Sequence, residues 1–224
     1  MKPSVIVFDV NETLSDMSPM AQRFEEVGAP GHLAKLWFAT LLRDGFALTA
    51  AGDTQPFANV GTEALRGIFT GMELNREVAP AVQHVMSGFT GLGLHPDVKE
   101  GVRALQSAGY RLATLTNGST QVAEKLLTDA GVRDSFERLL SVEDAPAWKP
   151  GKAAYDYAAS ACGVTPGQML LVAVHPWDIH GASRAGLATA WINRTGASYP
   201  DYFQAPDHTV SALPELVPVL AGGN

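Results

Sequence analysis

Four short apolar runs, each closing on polar residues and each tied to a helical pattern, restrict this chain more than any other feature. They are the leading residues of "VIVFDVNETL", "YRLATLTNGS", "QMLLVAVHPWD" and "LATAWINRTG". A strand buried on both faces needs an unbroken apolar stretch of this length, and the helices between such strands supply the cover. The alternation predicts an α/β fold with a parallel sheet.

The helical patterns have legible limits. "TQVAEKLLTDAG" carries Val122, Leu126 and Leu127 on one face and stops at Gly131, and "KPGKAAYDYAASACG" stops at Gly163. "HPDVKEGVRALQSAGY" predicts a further helix with Asp97 as its N-cap and Gly109 as its stop. Residues 15–95 hold no clear strand, only helical periodicities through Leu33, Leu36, Trp37 and Leu41 and through Val78, Val82, Val85, Met86 and Phe89. The division expected is therefore a core of 1–14 and 96–224 with a helical insertion, 15–95, after the first strand. The closing "GGN" is expected to fray.

Composition narrows the partners. The 224 residues, 46% hydrophobic and 17% charged, suit one globular domain or a core with an insertion. The start, "MKPSVIVFDV", has too short an apolar core and meets an acid too soon for a signal peptide or a membrane span, so a cytoplasmic protein without a membrane partner is expected. Cys162 is the single cysteine and reads as a packing residue. A net charge of −7 without a Lys/Arg cluster argues against nucleic acid and leaves a small molecule as the partner. Trp37, Phe38, Phe57, Trp148 and Trp177 either line a small pocket or pack the core, and their helical spacing favours the core.

In an open parallel sheet the ligand crevice lies at the carboxyl ends of the strands. Asp9 follows the first run, Thr116 and Asn117 the second, and His175 and Asp178 the third, while Lys149 lies in the loop "DAPAWKPG" before a helix. An aspartate there is held by the sheet and aimed at a substrate. Asp178 as a helix cap and Thr116 and Asn117 as turn formers are the plainer alternatives.

These residues also carry a resemblance. "FDVNETL", "LATLTNGS", "WKPGKAAYDYA" and "VHPWD", in that order, resemble the four motifs of the haloacid dehalogenase superfamily. "LTNGS", "LLSV", Tyr155 six residues after Lys149, the Trp177-Asp178 pair and "WINRTG" resemble its type II 2-haloacid dehalogenases. The resemblance implies a Rossmann-like core with a helical cap inserted after the first strand. It also implies a carboxylate, Asp9, that displaces halide from the carbon alpha to a carboxylate, after which water hydrolyses the Asp9 ester to release a 2-hydroxy acid. It implies no metal and no other cofactor, a short 2-haloacid as substrate, and a homodimer, since dimers are common in that family.

On this reading Lys149 balances the charge of Asp9, and Thr13 hydrogen-bonds its carboxylate. Thr116 and Asn117 orient the substrate or bind its carboxylate, with Asn11 and Trp177 also on the substrate side. Asp178 and His175 activate water, Tyr155 and His32 surround the leaving group, and Arg194 organises the edge. The family's usual arginine in the first cap helix is His32 here, and its usual serine and asparagine in the last motif are Ala173 and His175.

The superfamily's magnesium phosphatases are the first rival reading. They carry a second aspartate two positions after the nucleophile to protonate an alkoxide leaving group, and Asn11 stands there in this chain. Halide is so weak a base that it leaves unprotonated. Val174 occupies a metal-binding aspartate's position, so Asp9 and Asp178 remain, too few carboxylates for a hard divalent cation. A catalytically silent binding or regulatory protein on the same fold, suggested by the changed polar positions, is the rival of another class.

Overall fold

The computed structural model describes residues 3–222; of the closing "GGN", Gly223 and Asn224 lie outside the described residues. The chain divides into two compact units. One joins the segment ending at Ser15 to the segment beginning at Gly93, and the other is Asp16–Leu92.

The first unit opens with β1 (Val5–Phe8), and the second unit supplies α1 (Met20–Glu25), α2 (Leu33–Ala50), α3 (Phe57–Phe69) and α4 (Val78–Thr90). The chain then re-enters the first unit through α5 (Val98–Ser107), β2 (Arg111–Thr116), α6 (Thr120–Asp129) and β3 (Arg138–Ser141). Next come α7 (Lys152–Cys162), β4 (Met169–Ala173) and α8 (Pro176–Ala185). It ends with β5 (Ala188–Ile192), β6 (His208–Val210) and α9 (Leu216–Gly222).

The six strands form one sheet in the order β3-β2-β1-β4-β5-β6, and every pairing is parallel. All four residues of β1 and all five of β4 are fully buried, which is why these segments read as continuous apolar runs. Phe8 pairs with Thr114 on one side and Val172 on the other, and the Asp9 amide continues the ladder to the Val172 carbonyl at 3.0 Å. Asp9 is thus fixed by the strand edge rather than by a loop of its own. The apolar runs mark β1, β2, β4 and β5 but not the two edge strands, β3 with four residues and β6 with three.

Helix ends follow the chain's punctuation. Gly131 and Gly163 both adopt φ of +67°, the left-handed conformation that costs other residues about 1–2 kcal/mol. Asp97 stands at the N-cap position of α5 but makes no capping bond. Its carboxylate accepts instead from Arg194 Nη1 at 2.6 Å and the Leu213 amide at 2.8 Å, stronger partners than a helix amide because one is charged.

In the second unit α2 buries Ala34, Trp37, Phe38, Leu41 and Gly45, a stripe at helical spacing. Leu36 falls outside that stripe and is 53% exposed, contrary to the expected face. Trp37 donates through Nε1 to the Gly61 carbonyl at 2.9 Å, joining α2 to α3. Trp37, Phe38, Phe57 and Trp148 are all buried. Among the described residues no helix is long and apolar enough to cross a membrane.

Candidate active site

The carboxyl ends of β1, β2 and β4 and the loop before α7 bring their polar side chains together within the first unit. Lys149, fully buried, is the centre of the group. Its Nζ donates to Asp9 Oδ1 at 2.9 Å and to Asp178 Oδ2 at 2.6 Å. A buried ammonium without partners would shed its proton; two carboxylates hold it charged instead, and its pKa rises despite the burial that opposes it.

Asp9 receives three groups. Besides Lys149 on Oδ1, Thr13 Oγ1 donates to Oδ2 at 2.6 Å, and His175 Nδ1 lies 3.2 Å from the same oxygen. Burial pushes a carboxyl group up, but the Lys149 charge, the His175 bond and the Thr13 bond outweigh it and hold Asp9 well below the usual carboxylate range. Asp9 therefore stays ionised at any physiological pH. Thr13 also accepts from the Val174 amide at 3.0 Å, so one hydroxyl ties the turn after β1 to the turn after β4.

Asp178 is fully buried, and burial together with the neighbouring Asp9 charge pushes its pKa up. Its Oδ1 accepts from the Tyr155 hydroxyl at 2.6 Å. The Tyr155 hydroxyl, expected beside the leaving group, gives its proton to Asp178, and its side chain is fully buried, so it seats that carboxylate. Gly181 on α8 makes the seating possible. A Cβ there would fall 2.6 Å from both the Pro150 Cβ and the Tyr155 hydroxyl.

Asn117 holds the lysine loop. Its Nδ2 donates to the Lys149 carbonyl at 3.1 Å and its Oδ1 accepts from the Lys149 amide at 3.0 Å, a two-point latch on the backbone that carries the ammonium. Thr116 Oγ1 accepts from the Gly118 amide at 2.9 Å and shapes the turn. Asn11 is buried beside that turn. Trp177 stacks on the His175 ring, centroids 5.0 Å apart, with Lys149 Nζ 6.0 Å from its own centroid. Arg194 bridges Asp97 and the Thr13 carbonyl, the latter at 2.9 Å. His32 belongs to the second unit, where it is exposed immediately before α2.

One participant escaped the sequence reading. Glu12 lies in the turn after β1 with φ of +61°, and its Oε2 is 2.8 Å from His175 Nε2. With a carboxylate on each ring nitrogen, His175 overcomes the burial that would lower its pKa and is raised from 6.5 to about 9. An imidazolium has no lone pair to accept a proton, so His175 can take one from water only after giving up one of its own.

This charge state stabilises the fold below about pH 6.5, and the stabilisation is lost as pH climbs through about 9. The full difference amounts to about 3 kcal/mol. Urea unfolding of the wild type should lose midpoint between those pH values, and His175→Asn should remove that slope; parallel curves would count against it.

The comparisons with known proteins place this geometry in a family. The family model described as haloacid dehalogenase-like hydrolase matches residues 3–186. The chain belongs to the haloacid dehalogenase-like hydrolases. Among its relatives in that family is haloacetate dehalogenase H-2 of Moraxella sp. (strain B), 31% identical with 98% of this chain and 99% of that protein covered. The (S)-2-haloacid dehalogenase 4A of Burkholderia cepacia is 32% identical, with 96% and 94% covered. A solved L-2-haloacid dehalogenase superposes on this haloacid dehalogenase-like hydrolase with a TM-score of 0.92 at 29% identity, covering 99% of this chain and all of that one.

Proposed function

We propose that the chain hydrolyses short 2-haloacids to 2-hydroxy acids through an ester formed on Asp9, without a metal ion. The position of Lys149 carries this reading: its ammonium already lies between Asp9 and Asp178, the two carboxylates a divalent cation would need. A hard cation there would have to displace the ammonium and would find the amide Asn11 and the apolar Val174 in place of further acids. The residues present do not fit a magnesium site.

The chemistry matches what remains. Asp9 is ionised and held by the strand edge, a carboxylate oxygen ready to attack an sp³ carbon. Halide departs without a proton, so no acid is needed at Asn11. Water then attacks the ester carbonyl and restores Asp9. The haloacid substrates named for the relatives at 31% and 32% identity are consistent with this course.

The test is direct. Purified protein with excess chelator is given chloro-, bromo- and fluoroacetate and 2-chloropropionate, and free halide is measured beside a phosphate ester with magnesium. Halide should appear at a rate the chelator does not change, and no phosphate should be released. Phosphate release alone, or halide release abolished by chelation, would overturn the reading.

A further inference from the structure

Glu12 is the residue whose presence chain geometry least favours. At φ of +61° a glycine would be relaxed and a glutamate is strained. The turn does not need the side chain for its own shape: the Glu12 amide donates to Ser15 Oγ at 3.3 Å and its carbonyl lies 3.0 Å from His95 Nε2, both through the backbone. What the side chain adds is its contact with His175 Nε2 at 2.8 Å, and the other ring nitrogen of His175 faces Asp9.

We propose that Glu12 is a positioning residue for the second half of the reaction: it keeps the remaining proton of His175 on Nε2, so that Nδ1, facing Asp9, accepts the proton of the water that hydrolyses the ester. This rests on Asp9 being the group that becomes esterified.

The sequence of charges makes the assignment coherent. Asp9 and Glu12 are charged groups that face His175 within its unit, with Lys149 and Asp178 beyond Asp9. In the resting enzyme both ring nitrogens carry protons, and the imidazolium adds to Lys149 in keeping Asp9 ionised. Attack on substrate converts the Asp9 carboxylate into a neutral ester and releases halide. One of the two carboxylates facing His175 is then gone, and its pKa falls from about 9. The imidazolium yields its Nδ1 proton to solvent, and the carboxylate of Glu12 fixes Nε2–H, as a carboxylate fixes the tautomer of a catalytic histidine generally.

Water next adds its oxygen to Cγ of Asp9 and gives one proton to Nδ1. Collapse of the adduct breaks the bond from Cγ to the product oxygen, which takes the second proton and leaves as the hydroxyl of the 2-hydroxy acid. Asp9 is again a carboxylate and His175 again an imidazolium. Asp178, the competing acceptor, is fully buried and already takes short bonds from Lys149 and Tyr155.

Two variants of the full chain test this, Glu12→Gln and Glu12→Gly, with 2-chloropropionate or chloroacetate in rapid-quench experiments. Each should keep the halide burst that reports ester formation within about threefold. Each should slow ester hydrolysis by about ten- to a hundredfold, a fraction of what general bases contribute. Intact-mass spectra should then show the Asp9 adduct accumulating at steady state. Glu12→Gly should melt no lower than Glu12→Gln, since both lose the ion pair with His175 and only the glycine relieves the backbone, and equal slowing of ester hydrolysis in the two separates positioning from a merely structural role. Wild-type ester lifetimes in both variants would overturn the proposal and leave the dehalogenase reading intact. A wild-type protein that releases no halide and labels no Asp9 would overturn both.

Discussion

Asp9→Asn is expected to abolish halide release, by on the order of 10⁴-fold or more, because the amide lacks the anionic oxygen that forms the new bond. The fold should survive, as Lys149 keeps Asp178 for a partner at 2.6 Å and the ladder bond to Val172 is made by the backbone. Circular dichroism should therefore be unchanged while activity vanishes. Oxygen tracing gives the complementary result in the wild type. A single turnover in ¹⁸O water should place the label in Asp9 and leave the product hydroxyl unlabelled, since water attacks the ester carbonyl and the product keeps an oxygen that began on the protein. A labelled product from the first turnover, with Asp9 unlabelled, would remove the covalent course altogether.

Lys149→Met should do damage of a different kind. Methionine fills much the same space, but Asp9 and Asp178 would lose the ammonium that bonds to both. Breaking a buried ion pair by removing one partner costs about 3–5 kcal/mol, because a desolvated charge is left behind. Urea unfolding at neutral pH should show a loss of that size, and halide release should disappear with it. Adding Asp178→Asn to Lys149→Met should recover part of the stability, since one of the stranded charges is then gone, while activity stays lost. Strict additivity of the two changes would mean that the three side chains do not act as a charge triplet.

Much of this arrangement was legible in the amino-acid order, and for a reason particular to parallel sheets. Strands buried on both faces have to be written as apolar runs, so β1, β2, β4 and β5 stand out, and the polar residues closing them mark the crevice. The edge strands lack that signature. β3 offers only "RLLS" with Arg138 exposed, and β6 only "HTV". Tyr155, Asn117 and Asp97 were legible as polar residues in meaningful places but not as to partner, because hydrogen-bond partners are set by side-chain direction across elements far apart in sequence. The pairing of Glu12 with His175 spans 163 positions. The one hint in the sequence was an acid in the turn that follows Asp9.

Gly181 brings a last consequence. The helix carrying Asp178 nests against Pro150 and Tyr155 at a distance no side chain at that position would permit. A single added methyl would wedge the helix away from the lysine loop and widen the gap that the ammonium now spans. How far apart two acids stand is here decided by a residue with nothing to ionise, so redesign of this centre has to begin from the shape of its backing, ahead of any exchange of charge.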